Sequence, residues 1–115
     1  MYQFAYNEVV DESPVTMRAS ERHAMDRVIA MLRVALAKGA ASQETVEALY
    51  YLRRLWSIFM NDLANPENEL PEQMRNGLLS IGLWMNKEID RVRSGQTSDL
   101  TPIIEINEII RGGLK

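Results

Sequence analysis

The sequence predicts an all-α fold, a small antiparallel bundle of about four helices. Three observations carry this. Apolar residues recur at the three- and four-residue spacing of a helix in four successive segments. Prolines, glycines and capping residues bound those segments. No stretch alternates apolar and polar residues over the length of a strand.

The first helix is expected in "SPVTMRASERHAMDRVIAMLRVALAKG", with Ser13 as N-cap, Pro14 at the first helical position and Gly39 as the stop. At about 100° per residue, Met17, Ala24, Met25, Val28, Ile29, Met31, Leu32, Ala35 and Leu36 share one face. Arg18, Arg22, Asp26, Arg27 and Arg33 lie mostly opposite. Ser42 is placed to cap the second helix, which runs through "YYLRRLWSIFMNDL" to about Ala64, because Pro66 forbids much more. The polar stretch "ANPENELP" reads as a turn-rich connection. A third helix runs from about Pro71 to Ser94 and stops at Gly95. The fourth is short, "TPIIEINEIIRGG", with Thr101 as cap and Gly112 as stop.

The chain has 115 residues, enough for one domain, 1–115, that needs no disulfide or metal to hold it. Residues 1–12 contain Tyr2, Phe4 and Tyr6 and are expected to pack across the bundle. They do not look like a secretory signal, and no segment has the ~18 uninterrupted apolar residues of a membrane span. No membrane partner is expected. The absence of cysteine fits a reducing, cytoplasmic setting and removes thiol chemistry. A net charge of −3 argues against a broad grip on phosphates and so against direct binding of nucleic acid.

The residues offer little to an enzyme. His23 is the single histidine and falls on a polar helix face, where it reads as a solvated side chain. Glu67, Glu69 and Glu72 match no calcium-loop spacing and suit the positive N-terminal end of the third helix. No glycine pattern for phosphate binding is present. Gly82, inside a helix, marks a close helix contact; a flexible point for partner binding is the alternative. No catalytic residue, metal or cofactor is expected.

The informative feature is a surplus of apolar surface. In the second helix Ala48, Leu49, Leu52, Leu55, Trp56, Phe59, Met60 and Leu63 form the core stripe, and Tyr51 and Ile58 widen it. The apolar arc reaches about 200°, against the roughly 100° that faces a core. In the third helix Met74, Leu78, Ile81, Met85, Ile89 and Val92 form the stripe, while Leu79, Leu83 and Trp84 fall outside it. Central helices and the N-terminal aromatics could absorb this surplus. The competing reading is an apolar surface that takes a partner's helix. On that reading Tyr51, Ile58, Leu79, Leu83 and Trp84 are the candidate partner-binding residues, with Arg53 at the rim. Arg53 and Arg54 have no acid at helical pairing distance, so their partners must come from another helix, from Asp11 or Glu12, or from a second protein.

Four stretches, "MYQFAY", "VEALYYLRRLWSIFMNDLANPENELP", "LLSIGLWMNKEIDRVRSG" and "IIEINEIIRGGL", together resemble the flagellar biosynthesis regulator FlaF of alphaproteobacteria. The motif residues are Leu52, Arg53, Arg54, Leu55 and Trp56, then Asn68, Glu69, Leu70 and Pro71, then Ser80, Ile81, Gly82, Leu83 and Trp84. The resemblance implies a part in flagellin production and export, beside a second regulator, FlbT, that acts in the opposite sense. It also implies a flagellin-specific export chaperone or adaptor, analogous to the small helical FliS-type chaperones. The expected function is therefore a cytoplasmic, non-enzymatic flagellin-binding chaperone and regulator. The alternative is a post-transcriptional regulator acting directly on flagellin mRNA or through FlbT.

Overall fold

The structure, a computed structural model, describes residues 19–113. They form four helices: α1 (Ala19–Lys38), α2 (Gln43–Ala64), α3 (Glu72–Arg93) and α4 (Thr101–Gly113). No strand occurs among the described residues. The expected Ser13 cap, the Met17 contact, the packing of Tyr2, Phe4 and Tyr6 and the acids Asp11 and Glu12 lie outside the described residues.

Each connection is built from local hydrogen bonds. Gly39 ends α1 at φ 103°, a left-handed conformation that favours glycine. The Gly39 carbonyl accepts from the hydroxyls of Ser42 and Thr45, each at 2.7 Å, and Ser42 Oγ in turn accepts the Thr45 N–H at 3.1 Å. Ser42 thus caps α2 as its sequence position indicates. In the next loop Asn65 Oδ1 accepts from the Glu67 N–H and Asn68 Oδ1 from the Leu70 N–H. Asn68 Nδ2 donates back to the Asp62 carbonyl at 3.1 Å. These short side-chain bonds mimic backbone turns. Gly95, at φ 84°, ends α3.

Neighbouring helices run antiparallel, as cross-helix pairs show. Thr45 lies by Ala35 and Tyr51 by Arg27; Arg53 meets Asp90; Asp26 meets Arg111. Helix α2 packs against both α1 and α3, and α4 packs on the other side of α1. The core holds Met25, Val28 and Leu32 of α1, Leu49, Leu52, Trp56 and Leu63 of α2, Met85 and Ile89 of α3, and Leu100 and Ile103 at α4. The whole expected stripe of α2 is buried except Met60, which is half-buried.

One buried polar group joins three helices. Asn107 of α4 is fully buried, and its Oδ1 accepts the Trp56 indole N–H at 2.9 Å. Its amide nitrogen donates to the Ile103 carbonyl at 2.8 Å and reaches Met85 Sδ at 3.5 Å. Every polar atom of the pair is thereby matched, so neither the indole nor the amide is left unsatisfied in the apolar interior.

Three expectations are corrected. Leu36 and Met74, assigned to core stripes, are exposed at 47% and 40%. Each sits in a terminal turn, Leu36 at the end of α1 and Met74 at the start of α3, where fewer neighbours remain to cover a side chain. The cap of α4 lies earlier than Thr101. The Leu100 carbonyl accepts from the Ile104 N–H, which makes Thr101 the first helical residue, and Asp99 Oδ1 accepts the Thr101 N–H at 3.0 Å. Those bonds from Thr101 hold the Asp99 carboxyl below its usual range.

Candidate partner-binding surface

The apolar surplus does not gather on one face. Helix α2 lies between two neighbours, and its candidate residues divide between them. Tyr51 looks toward α1, with the Arg27 guanidinium 5.6 Å from its ring centre. Ile58 follows Tyr51 by seven residues and so shares that side of α2. Both are exposed. Arg53 looks toward α3, where it donates to Asp90 Oδ1 at 2.6 Å and to Asn86 Oδ1 at 3.5 Å. The acid for Arg53 therefore comes from another helix. Arg54 projects outward beside the Tyr50 ring, 5.9 Å from its centre.

On α3 the candidates behave differently from one another. Leu83 is 59% exposed. Leu79 and Trp84 are half-buried and pack against the core, so only part of each is free for a partner. Between them Gly82 is buried. A Cβ there would lie 2.5 Å from Met60 Sδ and 2.8 Å from Met60 Cγ, so the bare glycine seats Met60 of α2 against α3. Of the two readings of Gly82, close helix contact is the one observed.

Sequence reasoning missed a second feature, a groove of about 310 Å³ between α1 and α2. Arg27, Ala30, Met31 and Val34 line it from α1, and Glu44 and Glu47 from α2. Val34 is half-exposed at 50%. The signal available in the sequence was slight: Ala30 and Val34 lie between the core stripe and the polar face of α1, where apolar residues are easily assigned to neither. Tyr50, Val46 and Ile109 are also exposed large apolar side chains, and Tyr50 stands edge-on to Tyr51 with ring centres 5.7 Å apart.

The charges elsewhere are largely paired across helices. Arg33 of α1 meets Glu108 of α4, and Asp26 meets Arg111 Nε at 2.7 Å. The Arg111 guanidinium holds the Asp26 carboxyl below its usual range. His23 is exposed, and among the described residues no three His, Cys, Asp or Glu side chains converge as metal ligands would. No described helix is long and apolar enough to cross a membrane.

The model of one protein family, Flagellar protein FlaF, matches residues 2–114, nearly the whole chain. The chain belongs to the FlaF family. Its role accordingly lies in flagellar function. No curated protein and no solved structure matches the chain.

The FlaF-like motifs can now be read physically. In "LRRLW", Leu52, Leu55 and Trp56 are buried core and Arg53 ties α2 to α3, which leaves Arg54 outward. In "NELP", Asn68 builds the loop, Leu70 packs against the core and Glu69 is exposed. In "SIGLW", Gly82 permits the close approach to Met60, and Ile81 and Trp84 pack on the core. Much of what makes this FlaF chain recognisable holds its fold; Arg54, Glu69, Pro71, Ser80 and Leu83 are the exposed motif residues.

Proposed function

We propose that this FlaF-family chain is a cytoplasmic, non-enzymatic chaperone and regulator that binds flagellin and supports its synthesis and export. The observation that carries this reading is the set of exposed apolar side chains on a small bundle of a flagellar family. Leu83, Tyr51 and Ile58 stand out from α3 and α2 although the core beneath them is complete. Exposed apolar surface of this kind on a small domain suits a partner helix better than it suits water. Flagellin's assembly helices are the fitting occupants, because covering them before export would prevent premature self-association. Tyr51, Ile58, Leu79, Leu83 and Trp84 are the proposed contact residues. Arg53 is a rim residue whose stem packs beside the stripe while its head binds Asp90.

The second reading, action on flagellin mRNA or through FlbT, has one observation in its favour. Arg27 of α1 and Arg54 of α2 flank the Tyr51–Tyr50 ring pair, cations beside aromatics as in single-stranded RNA sites. Glu44 and Glu47 stand in the same region, and the net charge of −3 opposes phosphate. Influence through FlbT requires no RNA contact and fits these charges.

Co-expression with the cognate flagellin, followed by size-exclusion chromatography with light scattering, tests the proposal. The expected result is a complex of defined mass. Leu83→Asp should weaken that complex while leaving the melting midpoint nearly unchanged. A wild-type chain that elutes apart from flagellin, but binds a flagellin leader RNA at ~10⁻⁸ M and loses it on scrambling, would put the RNA reading first.

A further inference from the structure

We infer that the groove between α1 and α2 is a docking site for one partner helix whose apolar face carries a basic residue and, one to two turns away, an acidic one. This rests on the reading of the chain as a protein-binding module and adds a site that the sequence did not indicate. The floor is apolar: Ala30, Met31 and Val34 of α1, extended by Tyr51 of α2 beside Arg27. The rim is charged, with the two signs kept apart. Glu44 and Glu47 stand together one turn apart on α2, and Arg27 stands beside Tyr51 at the other end. From Tyr51 the rise along α2 is about 6 Å to Glu47 and about 10 Å to Glu44, one to two turns.

None of these three charges forms an ion pair with another described residue. Glu47 only accepts a long bond from Gln43 Nε2 at 3.4 Å, and Arg27 faces a tyrosine ring. On the opposite flank of α2 the corresponding cation, Arg53, is closed by Asp90. The α1–α2 flank thus presents an apolar channel with an acidic end and a basic end, both free to accept complementary charge. A helix is the form that fits. A channel between two antiparallel helices receives a third by side-chain packing. No strand edge among the described residues offers backbone groups to an extended peptide.

The experiment uses the full chain, its flagellin and two synthetic amphipathic helical peptides. One peptide carries Lys and Glu seven residues apart on its apolar face; the other carries Glu at both places. The wild-type chain should bind the Lys/Glu peptide roughly tenfold more tightly than the Glu/Glu peptide in fluorescence polarisation at low salt. A Glu44→Lys, Glu47→Lys double variant should reverse that preference while its melting midpoint stays within a few degrees. Equal binding of both peptides by the wild type, or no binding at all, overturns the docking site whatever flagellin does. If the peptides behave as expected and flagellin fails to bind, the groove stands and the flagellin reading falls. If flagellin binds wild type and double variant equally, flagellin uses another face, and the peptide result alone decides the groove. Two other occupants would overturn the inference. A dimer in light scattering that the double substitution breaks would assign the groove to a second copy. A tenfold gain in peptide affinity on combined Tyr2→Ser, Phe4→Ser and Tyr6→Ser would assign it to the chain's own N-terminus.

Discussion

The two flanks of α2 look alike in sequence and differ in structure. Toward α3 the surface is closed. Met60 settles over the bare backbone of Gly82, and Arg53 meets Asp90. Toward α1 it stays open beside the core. Val34 and Tyr51 remain exposed along a channel whose charges form no ion pair with another described residue. The difference lies in what the neighbouring helix supplies. Helix α3 offers a glycine where α2 has a bulky side chain and an acid where α2 has a cation. At the open flank α1 offers Val34 and turns Arg27 to the Tyr51 ring, so Glu44 and Glu47 form no ion pair with another described residue. An apolar surplus read from one helix therefore says little until its neighbour is known.

The largest expected effect comes from the residue shared by both flanks. Leu52 is fully buried in the middle of α2. Leu52→Asp places a carboxylate where no water or cation can reach it, a change costing several kcal/mol in a domain whose total stability is of order 5–15 kcal/mol. Loss of the helical circular dichroism signal and of a cooperative melt is expected. Leu83→Asp, at 59% exposure, should melt nearly as the wild type does. Equal damage from both would mean that Leu83 is covered in solution and that the α3 surface offers no free apolar contact.

The next effect separates the flanks directly. Gly82→Leu inserts a side chain into space held by Met60 and should cost ~1–3 kcal/mol through overpacking. Ala30→Leu makes a similar enlargement on the exposed wall of the α1–α2 groove and should stay within about 0.5 kcal/mol of wild type. Urea denaturation of the two variants measures both. A Gly82→Leu chain as stable as Ala30→Leu would show that Met60 moves aside freely and that the α3 flank is not closed.

A third substitution uses the other glycine of α3 as a control. Gly77 lies inside the helix, and a Cβ there meets nothing within 4 Å. Gly77→Ala should therefore stabilise the fold by about 1 kcal/mol through backbone entropy alone. A gain there beside a loss at Gly82→Leu would confirm that only Gly82 is required by packing.

The number of described helices and the ends at Gly39, Ser42, Pro66 and Gly95 were legible because they depend on local chemistry. The ends of α4 were not, with the cap before Thr101 and the helix running past Gly112 to Gly113. Ser42, Gly39, Pro66 and Gly95 act on their own neighbours, and one sequence shows those. The α2 core stripe was legible for the same reason, since a period of 3.6 residues places it without reference to any partner. The Asn107–Trp56 bond was not. Asn107 stood as a polar residue in the isoleucine-rich stripe of α4, but its partner lies 51 residues away and nothing local indicates it. The division of Tyr51 and Arg53 between opposite flanks was hidden too, because it depends on where α1 and α3 pack. The groove charges escaped for a related reason: Glu44, Glu47 and Arg27 look like ordinary solvated residues until two helices bring them to one channel.

The smallest effect tests whether the closed flank is closed by charge or by packing. The Arg53–Asp90 pair is well formed at 2.6 Å, yet the Asp90 side chain is 69% exposed. Water and salt can reach it, so the pair should contribute only ~0.2–1 kcal/mol. Arg53→Gln removes the charge, keeps much of the stem over the apolar border, and leaves Asp90 solvated rather than buried and alone. A small loss of stability is expected in ~10 mM salt, shrinking toward zero near 1 M salt as screening shortens the range of the interaction. Arg53→Ala removes the stem as well and should lose additional stability that salt does not abolish. The two variants, melted at both salt concentrations, separate the contributions. If Arg53→Gln costs as much as Gly82→Leu, the ion pair closes this flank as much as the glycine contact does. The lack of an ion pair among the described residues of the opposite groove would then be reason enough for that side to stand open.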